Sequence, residues 1–385
     1  MKNKYFYWSP FLTPIATPKA VVNSAFALQK FSKDNHCSII NFFGEFNTFN
    51  EELKKKKINT INFYKSSLIN FFPKYGKIKS RFSFILIFIL SFFPLKNLLR
   101  KEKPDYLIIQ LITSLPLFLL LIFKFETKFI LRISGLPKLG IFRKFLWTIA
   151  CKKIYLITCP TKNTMIYIKS LKIVPPEKVK LLYDPVLDIK KINEKKFLKD
   201  ETLRFKGKKY FLAAGRLTKQ KNFLFLCKAF YSLIQKYPNI NLLIAGEGEE
   251  KKEINNYILK KNLEDKIFLI GHVENIFSYL RSSEGFILSS LWEDPGFVLI
   301  EAAFCKTPIL SSNCGNGPKE LIQDKVNGVV FESNNLESFK YKFSEFMDLK
   351  KSKNKIIINS LKMSNNFTLF SHFKKFNQIL SNENF

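Results

Sequence analysis

The chain has 385 residues, more than one hydrophobic core usually supports, so two or three domains are expected, with two as the working count. Its composition, 46% hydrophobic and 15% aromatic with 42 Phe, excludes a disordered chain. The formal charge of +32 is uneven, since the first 185 residues hold 31 Lys and Arg against 9 Asp and Glu, and that half can attract an anionic membrane surface or nucleic acid.

The first half alternates strand and helix. YFYW at 5–8 reads as a strand, followed by a Pro-rich loop through Pro18 and a helix over 21–31. Asn35-His36 ends that unit, and 37–43 is a second strand, with later strands at 106–109, 128–133 and 154–158. The Lys54–Lys57 run reads as a solvated helix face or loop. The basic, aromatic stretch RFSFILIFILSFFPLKNLLR at 81–100 suits interfacial docking on anionic lipid or, alternatively, a buried helix with flanking surface Lys. Two apolar stretches are weighed against a membrane span. The one over 82–93 is short of the roughly 20 residues a spanning helix needs. The other, YLIIQLITSLPLFLLLIF at 106–123, contains Gln110, Thr113, Ser114 and Pro116 and is explained by a buried strand followed by a buried helix.

Residues 178–186 give a short strand and a turn, and 190–208 is charged and aperiodic, as an interdomain linker is. The second half repeats the alternation, with strands at 210–213, 241–245, 266–270, 285–288, 308–311 and 328–331 and helices at 223–236, 251–261, 276–281, 298–305 and 318–322. The expected organisation is an α/β chain with a first domain over 1–187, a linker over 188–208 and a second domain over 209–365. A helical tail over 366–385 packs back on the first domain. Six cysteines, Cys37, Cys151, Cys159, Cys227, Cys305 and Cys314, form no CxxC pair and read as reduced core thiols of a cytosolic protein. MKNKYFYWSPFLTP lacks the apolar run of a signal peptide, so export is not expected.

Chemistry concentrates at strand ends of the second half, where open α/β sheets bind ligands. YFLAAG runs into GRLTKQKN, so Gly215, Arg216 and Lys221 leave one strand-to-helix loop, suited to phosphate or simply to a basic surface. NLLIAG leads into EGEE, where Glu249 and Glu250 suit a helix start. In SSLWEDPGFVLIEAAFCKTPILSS, a strand delivers Glu293 to a loop and Pro295-Gly296 turns into a helix. The first N–H groups of that helix, at Gly296, Phe297 and Val298, can face an anion, and Glu301 follows a turn later. Capping by Glu293 and a solvent-facing Glu301 is the plainer alternative. SSNCGNGPKELI, at 311–322, is a fourth loop of the same kind.

Together GRLTKQKN, EGE, GHVEN at 271–275, the Glu-seven-residues-Glu spacing of Glu293 and Glu301, GPKELI and VNGVVF resemble retaining glycosyltransferase family 4. The resemblance is strong over 210–331 and weak but collinear before it. It implies the GT-B fold, two Rossmann-like doubly wound parallel-sheet domains facing a central cleft. It also implies donor diphosphate bound by Arg216, Lys221 and the backbone at 296–298, ribose by Glu301, sugar hydroxyls by Glu293 and the base near Val273. The donor would be a nucleotide-diphosphate sugar of UDP or GDP type, with no cofactor and, in the absence of a DxD motif, no metal. The acceptor would be a growing cell-surface glycan or lipid-linked saccharide, taking a hexose or N-acetylhexosamine at the inner face of the plasma membrane, where the protein is peripheral.

The first half departs from that pattern. PIATPK replaces the usual glycine pair, which bears on acceptor-side approach at Ala16 and Thr17, and ILRISG offers Arg132, Ser134 and Gly135 where many members place a His. His36, His272 and His372 do not fill that role. Two other readings compete: a sugar-nucleotide epimerase of the same architecture, which would lack these motifs, and a nucleic-acid-binding protein, for which no recognisable motif is present.

Overall fold

The computed structural model describes residues 3–12, 16–64, 68–73, 77–137, 139–198, 205, 207–349 and 352–382. Two compact units result: the chain up to Pro185 joined by the last helix, and Val186–Thr368.

The first unit alternates β1 (Asn3–Trp8), α1 (Ala16–Phe31), β2 (Asn35–Ile40), α2 (Asn50–Lys55), β3 (Asn59–Ile61), α3 (Lys77–Glu102), β4 (Tyr106–Ile109), α4 (Ser114–Ile122), β5 (Lys128–Arg132), α5 (Ile141–Lys153), β6 (Leu156–Cys159), α6 (Lys162–Ser170) and β7 (Val179–Leu181). The strands form one parallel sheet in the order β3-β2-β1-β4-β5-β6-β7, with Tyr5 of β1 opposite Cys37 on one side and Tyr106 on the other. Largely buried, β4 (YLII) is apolar throughout, and β5 (KFILR) and β6 (LITC) carry apolar stretches, which is why the sequence pattern finds them. One core gathers Trp8, Ile87, Leu95, Leu117 and Trp147 under α3 to α5, and the opposite core gathers Tyr5, Tyr7, Val21 and Leu28 under α1.

Three expectations need correction here. The helix α1 starts at Ala16, inside the expected Pro-rich loop, because Pro18 in a first helical turn removes an N–H that has no helical partner anyway. Asn35-His36 does not end the unit but begins β2, where Asn35 is buried and its Nδ2 donates to the Leu28 carbonyl at 3.0 Å. The 82–93 stretch is part of a 26-residue helix, and Arg81–Glu102 within it is long and apolar enough to cross a membrane.

The second unit contains α7 (Ile189–Lys195), β8 (Lys209–Ala214), α8 (Phe223–Tyr231), β9 (Ile240–Ala245), α9 (Lys251–Lys260), β10 (Ile267–Gly271), α10 (Ile276–Ser282), β11 (Gly285–Leu288), β12 (Trp292–Glu293), α11 (Phe297–Phe304), β13 (Ile309–Ser312), β14 (Gly315–Asn316), α12 (Gly317–Leu321), β15 (Val329–Phe331), α13 (Leu336–Met347) and α14 (Lys353–Ser364). Its parallel sheet runs β10-β9-β8-β11-β13-β15. The aperiodic reading of 190–208 fails at its start. The short helix α7 buries Ile192, and its Lys195 carbonyl accepts from Asn275 Nδ2 at 2.8 Å, so tertiary contacts hold a helix that local periodicity does not announce.

The last helix, α15 (Leu369–Asn382), belongs to the first unit. Leu369, His372, Phe376, Ile379 and Leu380 make its buried stripe, and Phe376, Ile379 and Leu380 join the core beneath α1. All six cysteines are free and buried, and burial pushes the Cys151, Cys159, Cys227 and Cys305 thiols up to about 12.

Candidate functional site

In the second unit the chain winds outward from β8 through β9 to β10, then returns to β11 on the other side of β8. This reversal opens a crevice at the carboxyl ends of β8 and β11, the place where doubly wound sheets hold ligands. The loops entering it are the ones carrying Gly215 to Lys221 and Glu293 to Gly296.

These loops are laced together. Gln220 Nε2 donates to the Trp292 carbonyl at 2.9 Å, the Leu291 N–H to the Gln220 carbonyl at 2.8 Å, and Ser289 Oγ to the Lys221 carbonyl at 2.8 Å. Lys221 crosses the face of Gly215, where an added Cβ would lie 2.7 Å from its Cε, and its Nζ pairs with Glu293 Oε1. Ser290 Oγ donates to the same oxygen at 2.6 Å. The two side chains are 16% and 6% exposed, so this pair is largely removed from water. The two-residue pairing of β12 with β14, Glu293 opposite Asn316, ties in the fourth loop.

Beyond the pair, Gly296 caps α11 in a left-handed conformation, φ +94°, and no side chain caps that end of this eight-residue helix. Phe297 and Val298 follow, half-buried, in its first turn, and Glu301 is buried one turn on. A cavity of about 330 Å³ is lined by Gly215, Arg216, Gly246, Val273 and Val298. Its floor requires glycine at 246, since a Cβ there would lie 1.9 Å from the Gly215 carbonyl oxygen. Arg216 is exposed at the rim.

Of the residues singled out from sequence, Gly215, Arg216, Val273 and Val298 meet at this cavity, while Lys221 and Glu293 form an ion pair beside Gly215. Glu301 is buried, so the solvent-facing alternative for it does not hold, and Glu293 does not cap α11. Glu250 stands at the start of α9 and Glu247 pairs with Lys251 at 2.9 Å. Sequence reasoning missed Ser290, Gly246 and Ile276. All three stand at strand ends or helix starts, but the tight contacts of Ser290 and Gly246 involve chain more than two residues away.

In the first unit, Ala16 and Thr17 open α1 beyond β1, and Ser134 follows β5, its buried Oγ without a hydrogen-bond partner among the described residues. Arg132, which stands near the place of a family histidine, is committed to the core: its Nη2 pairs with Asp184 at 2.5 Å and its Nη1 donates to the Leu182 carbonyl at 2.6 Å. Glu45, buried in the loop after β2, has its pKa raised to about 7 by desolvation. Nothing in the local pattern marks it.

The family model described as glycosyl transferases group 1 fits residues 194–363, all within the second unit. Over these residues the chain is similar to glycosyl transferases group 1. An uncharacterized glycosyltransferase of Methanocaldococcus jannaschii is 34% identical over 256 residues, 60% of this chain and 61% of that protein. The N-acetylgalactosamine-N,N'-diacetylbacillosaminyl-diphospho-undecaprenol 4-alpha-N-acetylgalactosaminyltransferase of Campylobacter jejuni is 31% identical over 195 residues, 51% of each chain. The alignments thus span about half to three fifths of these relatives. The Anabaena protein HepE, solved with UDP and glucose, has a TM-score of 0.74 at 15% identity, covering 99% of this chain and 100% of that one. The two parallel-sheet units and this likeness establish the GT-B fold.

Proposed function

We propose that the protein is a retaining, metal-independent glycosyltransferase that moves a hexose or N-acetylhexosamine from a UDP- or GDP-linked donor to a cell-surface or lipid-linked saccharide. The observation that carries this reading is the laced crevice of the second unit, with Arg216 and Val298 lining one cavity, the Lys221–Glu293 pair beside Gly215 of that cavity, and a helix start at Gly296 without a side-chain cap. Arg216 and the backbone N–H groups of Phe297 and Val298 take the diphosphate, and Lys221 adds charge held in place by Glu293. Val273 packs near the base and Glu301 takes the ribose hydroxyls.

As the glycosidic bond to phosphate lengthens, positive charge grows at the anomeric carbon and negative charge on the leaving diphosphate. Arg216, Lys221 and the α11 dipole stabilise the second, and the Glu293 carboxylate favours the first and orients the ring. The departing phosphate takes the acceptor's proton on the same face, which keeps the anomeric configuration. The acceptor side falls to the first unit, at Ala16, Thr17 and Ser134. Support for the substrate classes comes from HepE, solved with UDP and glucose, and from the diphospho-undecaprenol named for the Campylobacter relative. The free thiols and the basic first half support a cytoplasmic enzyme peripheral to the inner face of the plasma membrane.

A screen of nucleotide sugars by thermal shift, followed by turnover of the hit, tests the proposal. A saturable rise in melting temperature, activity that survives EDTA and a first-formed product with the donor's own anomeric configuration by NMR are expected. Inversion would remove the retaining assignment, and activity lost to EDTA but restored by manganese or magnesium would remove metal independence.

A further inference from the structure

Helices α3, α4 and α5 cover one face of the first unit's sheet, α4 contacting both of its neighbours. Their inner sides are committed to the core through Ile87, Leu95 and Leu99 on α3, Leu117 on α4 and Trp147 on α5. Their outer sides are apolar as well. On α3, Phe82, Ile85, Ile89 and Phe93 are 54 to 63% exposed, and their spacing of three, four and four residues sets them in one stripe along the helix. On α5, Ile141, Phe142 and Phe145 are 87%, 91% and 68% exposed. Single exposed apolar residues are ordinary, but a set of neighbouring helices showing bulky ones together marks an interaction surface.

The charges around this face select the partner. Arg81 precedes the α3 stripe, and Lys96 and Arg100 continue it at the same spacing, their head groups 4.8 and 5.1 Å from the ring of Phe123. Arg143 and Lys144 lie among the exposed apolar residues of α5. Across all three helices the one acidic residue is Glu102, at the end of α3 and paired with Lys4 at 2.6 Å. A second copy of this chain would bring cations against cations. An apolar stripe rimmed by cations instead matches the headgroup and upper acyl region of an anionic bilayer.

We infer that the outer faces of α3, α4 and α5 form an interfacial docking surface for an anionic membrane, with α3 lying along the bilayer rather than across it. Crossing would pull Ile87, Leu95 and Leu99 out of the core, whereas lying in the interface uses only the side of α3 that the fold leaves bare. The inference deepens the peripheral-membrane part of the proposed function, and its test needs no sugar transfer.

The test sediments the full chain with vesicles of phosphatidylcholine alone or mixed with phosphatidylglycerol. Binding is expected to the mixed vesicles only and to weaken with salt, since charges are screened beyond about 10 Å at 0.1 M. The triple variant Ile141→Ser, Phe142→Ser and Phe145→Ser, all solvent-facing, is expected to lower vesicle affinity by about tenfold or more. Its circular dichroism and its nucleoside-diphosphate affinity should stay unchanged. Equal binding by the variant, no binding by the parent chain, or resistance of the bound protein to alkaline carbonate with release only by detergent would each overturn the inference. A failed donor screen with intact vesicle binding would instead count against the enzymatic reading alone.

Discussion

At the scale of single residues, Arg216 and Lys221 leave the same loop but sit in different electrostatic settings. Arg216 is exposed and, among the described residues, has no ion-pair partner, so Arg216→Ala should weaken nucleoside-diphosphate binding by about 1.5 to 3 kcal/mol with the melting temperature unchanged. Calorimetric titration checks this, and unchanged affinity would exclude Arg216 from the site. Lys221 is bound to a buried carboxylate, and Lys221→Ala leaves Glu293 without its cation, which costs about 3 to 5 kcal/mol of stability. The double variant Lys221→Met with Glu293→Gln should recover part of that loss, and urea unfolding of the parent, Lys221→Met, Glu293→Gln and the double variant gives the coupling; additive losses would mean the pair is not formed. The motifs themselves identify both ends of this pair. That Lys221 turns inward over Gly215 to reach Glu293 depends on residues 72 positions apart, and no local pattern carries it.

Among the elements, α15 shows how a single buried residue couples an end of the chain to pH. His372 Nδ1 lies 2.8 Å from the Tyr183 carbonyl and its Nε2 2.9 Å from Ser24 Oγ, which in turn meets the Tyr7 hydroxyl at 3.1 Å. Burial first, and then the Arg132 charge, lower the His372 pKa to about 3 from 6.5. Between those values the unfolded chain binds a proton that the folded one refuses, so stability falls as pH drops below about 6.5, by up to about 1.4 kcal/mol per pH unit. Glu45, raised to about 7, acts in the opposite sense, losing stability as pH rises from 4.5 towards 7, so the effect of His372 is read as a difference from His372→Gln. Urea midpoints at pH 7.5 and pH 5 should fall further for the parent chain than for the variant, and equal falls would refute the buried neutral imidazole. Periodicity reveals the amphipathic stripe of α15. The network around His372 joins α1, β1, the end of the sheet and the last helix, and exists only once they are packed.

For the whole molecule, the division into two units predicts that ligand stabilisation is confined to one of them. Nucleoside diphosphate at about 100 times its dissociation constant should stabilise Val186–Thr368 by about 2.7 kcal/mol and leave the unfolding of the first unit where it was. Differential scanning calorimetry with and without UDP or GDP measures this, and an equal shift of both transitions would contradict a site contained in the second unit. Removing the chain after Thr368 should, conversely, lower the first transition, because Phe376, Ile379 and Leu380 fill the core beneath α1.

The α/β alternation and the loop segments of the candidate donor site are legible in the local pattern of residues, and the GT-B architecture is legible through the resemblance to glycosyltransferase family 4. Parallel strands buried on both faces must be continuously apolar, and phosphate-binding loops need glycine, cations and helix starts in a short span of chain. Tertiary structure alone decided that Lys221 and Glu293 hold each other, that Arg132 belongs to the core with Asp184, and that the Phe-rich helix α3 is bare on one side. The physical reason is common to the three: a side chain's partner and its exposure are set by segments brought together only when the sheet forms, whereas local sequence specifies the backbone conformation that brings them there.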